Sequence, residues 1–159
     1  MQDFKRIVNA FRASFPEITL ATDVICGFPG ESEEAFKKTL QLIKEVKPNI
    51  VNVSKFFARP RTAAAEMQED FVPFQEIKRR SSSIAKLARE VISERNQHWV
   101  GWTGEVFVDE VGKVSGSLVG RNFAYKPVTV KGARDLLGKT LRVKVVTSFP
   151  TFLKGEIVE

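Results

Sequence analysis

Cysteine and histidine are almost missing from this chain of 159 residues, which has one of each, Cys26 and His98. A single cysteine excludes an internal disulfide and any metal site built from the cysteines of one copy, so metal chemistry would have to be supplied from elsewhere. His98 stands beside Trp99 and near Trp102 with no second ligand type around it, and it reads as a packed or hydrogen-bonded side chain rather than a metal ligand. Long apolar runs are missing too. No stretch approaches the roughly 20 residues that span a bilayer, and residues 1–13 are amphipathic without a signal-peptide core. The expectation is a soluble cytoplasmic protein with no membrane partner. Repeats and low-complexity segments are likewise lacking.

What is present is apolar material for a core, at 43% of residues, and an uneven charge. The formal net charge is +6. Residues 1–74 hold ten basic and ten acidic side chains, residues 75–97 six against three, and residues 98–159 nine against six, so each later segment carries +3. A neutral half joined to a positive one suits a polyanion-binding region attached to one that is not; a plain solvated surface is the alternative.

The hydrophobic pattern changes along the chain. Phe4, Ile7, Val8 and Phe11 fall at helical spacing before Pro16. Residues 18–26, ITLATDVIC, are apolar on both faces like a strand of a covered parallel sheet. Ser32 is placed as a helix N-cap, with Glu33 and Glu34 in the first turn, a stripe of Phe36, Leu40 and Ile43, and Pro48 as the stop. A second strand over 50–57 completes a strand, helix, strand unit with a parallel crossover. Two strands do not make a stable sheet or close a barrel, so further sequence upstream is expected. Residues 75–97 form one helix with Ile77, Ile84 and Val91 on its packed face and basic residues opposite. Beyond it, short segments over 102–111, 113–119, 123–130, 141–148 and 152–158 predict five strands of a small OB-like barrel.

Three strings carry possible chemistry. TDVICGFPGES, at 22–32, lies at the carboxyl end of a strand, where parallel α/β folds bind ligands. A tight turn with glycines for geometry alone is the plainer reading. Asp23 inside that strand must be hydrogen-bonded or must point into a polar cavity, and the cavity is the preferred reading. Cys26 reads as packing. FFARPRTAAAEM, at 56–67, follows the second strand, and Arg59 there could fork onto a phosphate or carboxylate or stand as a surface arginine before Pro60. SLVGRNFAYKPVTVKG, at 117–132, places Arg121 and Lys126 beside Phe123 and Tyr125, combining cations for phosphate with rings for bases. Alternation along a strand would put both rings on one face, and filling the barrel core is the competing role for at least one of them. Lys78, Arg79 and Arg80 could touch an RNA backbone, but a solvated helix face explains them better.

The first two strings resemble the end of the radical S-adenosylmethionine domain of tRNA methylthiotransferases, and the third resembles the signature of the TRAM domain through Gly120, Arg121, Asn122, Tyr125 and Val128. Arg61 stands where the methylthiotransferase stretch usually has glycine. The resemblance implies a fold of α/β followed by all-β: residues 1–74 the last βαβ units of a partial TIM-like radical barrel, 75–97 a linking helix, and 98–159 the TRAM barrel. It implies a cofactor pocket with Asp23, Ile25, Gly27, Phe57 and Arg59, and RNA binding by Arg121, Asn122, Phe123, Tyr125, Lys126 and Lys154. It also implies S-adenosylmethionine and two 4Fe-4S clusters in the full-length enzyme, with CxxxCxxC ligands lying upstream and no metal or catalytic residue in this stretch. The family reaction attaches a methylthio group to C2 of a modified adenosine beside the tRNA anticodon, after a 5'-deoxyadenosyl radical abstracts hydrogen there. The strings look closest to the group acting on threonylcarbamoyladenosine, with the isopentenyladenosine enzymes near relatives. The expected partners are the tRNA anticodon stem-loop and the upstream domains of the same polypeptide, without which the segment is expected to be inactive and free of bound cofactor. A non-catalytic TRAM-type RNA-binding protein and a purely structural module are the alternatives.

Overall fold

The computed structural model describes residues 2–159, which divide into two compact units: residues 2–9 with Leu20–Val91, and Ala10–Thr19 with Ile92–Glu159. Among the described residues no helix is long and apolar enough to cross a membrane.

The first unit is built on two parallel strands, β1 (Ala21–Cys26) and β2 (Ile50–Lys55), paired from Ala21 opposite Ile50 to Cys26 opposite Lys55. Between them runs α2 (Glu33–Val46). Its start is fixed as the sequence implies, by the Ser32 hydroxyl accepting from Ala35 N at 3.1 Å, and its end by Lys47 in a left-handed conformation at φ 47°. A longer helix, α4 (Phe74–Gln97), follows the short α3 (Ala63–Glu66) and lends Ile77, Ile84 and Val91 to a core shared with Cys26, Phe36 and Ile43. That core covers only one face of the strand pair. Val24, Val51 and Val53 turn into it, whereas Ala21, Asp23 and Ile25 and, on β2, Ile50, Asn52 and Ser54 are exposed. Among the described residues the other face is uncovered.

Two expectations change here. In α1 (Gln2–Ser14) the helix forms and stops before Pro16, but of its apolar residues only Val8 is buried, while Phe4, Ile7 and Phe11 are exposed. On α4 Lys78, Arg79, Lys86 and Arg89 are exposed, as a solvated face requires, but Arg80 is buried. Arg79 bonds Glu76 and Glu33 at 2.6 to 2.8 Å, and the buried Arg80 bonds Glu76 Oε1 at 2.8 Å and the Glu31 carbonyl at 2.6 Å. The two guanidiniums, Arg79 first, hold the Glu76 carboxyl down at about 2.

The second unit is a closed five-stranded barrel in the order β3 (Thr103–Val111), β4 (Ser117–Arg121), β5 (Pro127–Lys131), β7 (Leu153–Ile157), β6 (Thr140–Ser148). All neighbours are antiparallel except β5 and β7. Alternation, interrupted by register shifts between Val108 and Glu110 and between Val145 and Thr147, builds the interior: Val106, Val108, Val128, Val130, Val143, Val145 and Leu153 fill it, and Arg142 and Lys144 point out between them. Gly120 has to be small, because a Cβ there would come within 2.6 Å of Val106 Cγ1 on the neighbouring strand.

Candidate nucleic-acid interface

The connection between β4 and β5 is a tight turn, not the start of a strand. Asn122 builds it. Its Oδ1 accepts from the backbone of Ala124 at 3.1 Å and of Lys126 at 2.9 Å, while its carbonyl accepts from Tyr125 N at 2.8 Å. A side chain that bonds its own backbone in this way competes with a sheet ladder, which is why the expected strand over 123–130 begins only at Pro127. Tyr125 is consequently held at φ 60°, a left-handed conformation that costs a residue with a Cβ about 1–2 kcal/mol. Ala124 turns into the barrel core, and Phe123 and Tyr125 on either side of it project outward, 72% and 70% exposed. Neither ring fills the barrel. Phe123 leans on the rings of Trp99 and Trp102 at 5.8 and 6.2 Å, and Arg121 lies over the Tyr125 ring at 5.2 Å.

The cations divide into three kinds. Arg121 is engaged with acids of its own barrel, Glu110 at 2.8 Å and Asp109 at 3.4 Å. Partial burial works against its charge, but these pairings prevail and raise its pKa. Lys126 is only 5% exposed, and its Nζ donates to Asn96 Oδ1 at 2.9 Å. Burial, with the nearby Arg95 adding to it and Glu17 opposing it, brings the Lys126 ammonium down to about 8. Asn96 in turn donates from Nδ2 to the carbonyls of Phe149 and Pro150, at 2.8 and 3.2 Å, so one buried amide ties the β4–β5 turn and the β6–β7 turn to the end of α4. Asn122 and Lys126 were both expected to contact RNA; buried as they are, they shape the loop, and that expectation is corrected. The third kind is exposed and makes no ion pair among the described residues: Lys113, Lys131, Arg134, Lys139, Arg142, Lys144 and the expected Lys154. Sequence reasoning singled out only the last of them. The alternation of β6 was the signal that could have found Arg142 and Lys144.

The residues expected around a cofactor lie at the carboxyl end of β1 and β2. Asp23 accepts from Asn52 Nδ2 at 2.8 Å, and Ile25, 59% exposed, follows it on the same bare face. Gly27 departs from that role. It sits at φ 78° with its backbone N–H on Glu31 Oε2, and a Cβ would meet Ile77, so its smallness serves the packing of α4. Gly27 and Phe57 also line a small hollow of about 230 Å³ with Phe56, Phe71 and Val72. Arg59 is exposed, its carbonyl accepting from the Thr62 hydroxyl at 2.8 Å, and Arg61 occupies the usual glycine position at φ 64°, a backbone shape that glycine would take freely.

A closed five-stranded barrel in this order is a small module of the OB type. Residues 97–158 match the family model described as the TRAM domain. The match to known proteins runs well beyond that domain. The chain is 37% identical over 158 residues to a probable threonylcarbamoyladenosine tRNA methylthiotransferase of Pyrococcus horikoshii, covering 99% of this chain and 36% of that protein. It is 36% identical over 157 residues to the threonylcarbamoyladenosine tRNA methylthiotransferase of Xenopus laevis, covering 99% and 28%, and 36% identical over 157 residues to a tRNA-2-methylthio-N(6)-dimethylallyladenosine synthase of Dictyoglomus thermophilum, covering 98% and 36%. The chain thus spans about a third of the length of these curated relatives and matches their carboxy-terminal end. Over both units the chain is similar to the end of tRNA methylthiotransferases.

Proposed function

We propose that this chain is the tRNA-holding part of a methylthiotransferase that modifies C2 of an adenosine next to the anticodon, acting on tRNA in the cytoplasm. The observation that carries the reading is that the match covers both units rather than the barrel alone, which sets it above a free-standing TRAM-type RNA-binding protein. Threonylcarbamoyladenosine is the proposed substrate. In this reading residues 1–74 end a radical S-adenosylmethionine domain, 75–97 link it to the barrel, and 98–159 grip the anticodon stem-loop through Arg142, Lys144 and Lys154, whose exposed charges are free to meet phosphates.

The bare face of β1 and β2 fits a nucleoside cofactor. Asp23, paired with Asn52, offers oxygen and nitrogen to hydroxyl groups, and the exposed Ile25 offers an apolar surface to a base. Phe57 and Arg59, exposed beyond β2, complete the proposed set. Bound there, S-adenosylmethionine would bring the radical chemistry of the reaction, and these residues would hold and orient it. Iron–sulfur clusters do not fit this stretch: among the described residues no group of three or more Cys, His, Asp or Glu could hold a metal, and Cys26 is fully buried. The cluster ligands are assigned to upstream sequence, and the chain alone is inactive.

The test is mass spectrometry of tRNA nucleosides from cells with and without the full reading frame. Loss of 2-methylthio-threonylcarbamoyladenosine is the expected result. Loss of the dimethylallyl form would replace the substrate, and an unchanged nucleoside profile would contradict the enzymatic reading.

A further inference from the structure

One guanidinium of the first unit is buried, and its partners lie just past the carboxyl end of β1. Arg80, on α4, is 5% exposed and holds its guanidinium over the buried Phe36 ring at 5.4 Å. Its Nε donates to Glu76 Oε1 at 2.8 Å. One terminal nitrogen donates to the Glu31 carbonyl at 2.6 Å and stands 3.6 Å from the Glu31 carboxylate, and the other is 3.6 Å from the Glu33 carboxylate. Glu31 Oε2 also accepts from the backbone N–H of Gly27, so Arg80 and Gly27 meet at one carboxylate. The neighbouring Cys26 thiol feels the same cluster: burial pushes its pKa up, Glu31 adds to that, and Arg80 opposes it.

This arrangement is more than packing requires. An apolar side chain of similar volume stabilises a buried site as well as an ion pair does, so what a paired guanidinium adds is a fixed geometry. The segment it fixes has no repeating structure of its own. Residues 27–31 join β1 to α2 with Gly27 at φ 78° and Gly30 at φ 79°, and further ties run from Gly30 N to the Asp70 carbonyl and from Glu31 N to the Phe28 carbonyl, each at 2.9 Å. The same segment continues the strand that carries Asp23 and Ile25, at the end where parallel α/β folds take their ligands. Helix α4 lines the hollow of about 230 Å³ there with Ile77 and ties its Gly27 edge through Arg80 and Glu31. We infer that Arg80 is a positioning residue of the cofactor site, holding the 27–31 loop through Glu31 so that the end of β1 presents a fixed edge to a nucleoside ligand, an inference that rests on the cofactor role proposed above.

Equilibrium binding of S-adenosylhomocysteine, which has no methyl group to transfer, to the full-length holoprotein tests it, together with hydrogen exchange over residues 26–31. Arg80→Lys keeps the charge and most of the buried volume, but a single ammonium replaces the planar fork that serves Glu76 and the Glu31 carbonyl at once. It should weaken binding by about tenfold, and so should Glu31→Gln. The double variant should bind about as weakly as either single one, because both changes break one link. Exchange in the loop should quicken by about tenfold in each variant while residues 84–91 of α4 keep the parent's protection, a split that a loss of overall stability does not produce. Parent-like affinity in Arg80→Lys, losses that multiply to about a hundredfold in the double variant, or exchange that rises equally in loop and helix would each overturn the positioning role and leave the cofactor reading standing. A parent protein that does not bind the probe would overturn the cofactor reading and the role of Arg80 with it.

Discussion

The two units solve the problem of a sheet's exposed surface in opposite ways. The barrel pairs each of its five strands on both sides and turns one face of every strand into a common interior. The β1–β2 pair buries one face under α2 and α4 and leaves Asp23, Ile25 and Asn52 in the open. A closed sheet can be stable by itself, whereas a two-stranded one with a bare face draws its stability from helices on one side only. What differs in consequence is where ligands can go: the outside of the barrel, and the uncovered face of the strand pair.

The largest expected effect bears on that contrast directly. Leu153→Ala removes a fully buried side chain from the barrel and should cost about 2–5 kcal/mol in urea unfolding, while Ile25→Ala on the bare face should stay within about 0.5 kcal/mol. Equal costs would erase the distinction. Lys126 comes next. Its folded-state pKa of about 8 lies below the ordinary 10.5, so the buried cation costs stability below pH 8. Between about pH 8 and 10.5 the unfolded chain keeps a proton that the folded chain has released. Stability from this group therefore rises with pH, by at most about 3 kcal/mol. Subtracting the profile of Lys126→Met from that of the parent isolates the rise, and a flat or falling difference would contradict it. Asn122→Ala leaves two backbone donors of the turn without their acceptor and should destabilise the barrel by about 1–3 kcal/mol in thermal unfolding. Smallest is Arg61→Gly, which relieves a left-handed arginine and should stabilise the first unit by up to about 1 kcal/mol; a loss of stability there would mean that φ 64° is not strained.

The legible parts of the fold were those written in local patterns. Ser32, the paired glutamates and Pro48 bracket α2, and alternation along residues 141–148 announces β6 with its buried valines. The turn at 122–126 escaped because a single asparagine side chain overrides a strand-like string, and with it went the placement of Phe123 and Tyr125. Lys126 looked like a ligand-binding cation because burial against Asn96, thirty positions earlier, leaves no trace in local sequence. Arg80 is similar, bonded to Glu31 across 49 positions. In α1 helical spacing gave the right element and the wrong exposure, since spacing marks a face without naming what covers it. At the strand ends Asp23 and Ile25 share a face, as period-two reasoning requires, but the reason for Gly27 lies in Ile77, fifty residues on.

The central claim is that the barrel holds tRNA through exposed cations on its wall rather than through the buried and paired residues of its signature loop. The most direct measurement is the affinity of the chain for tRNA across a salt series, in the parent, in Arg142→Ala/Lys144→Ala and in Lys126→Met. Each phosphate contact contributes close to one unit of log–log slope, so the double variant should lose about two units while Lys126→Met keeps the parent slope. A slope insensitive to Arg142 and Lys144, or one that collapses with Lys126 alone, would contradict the account.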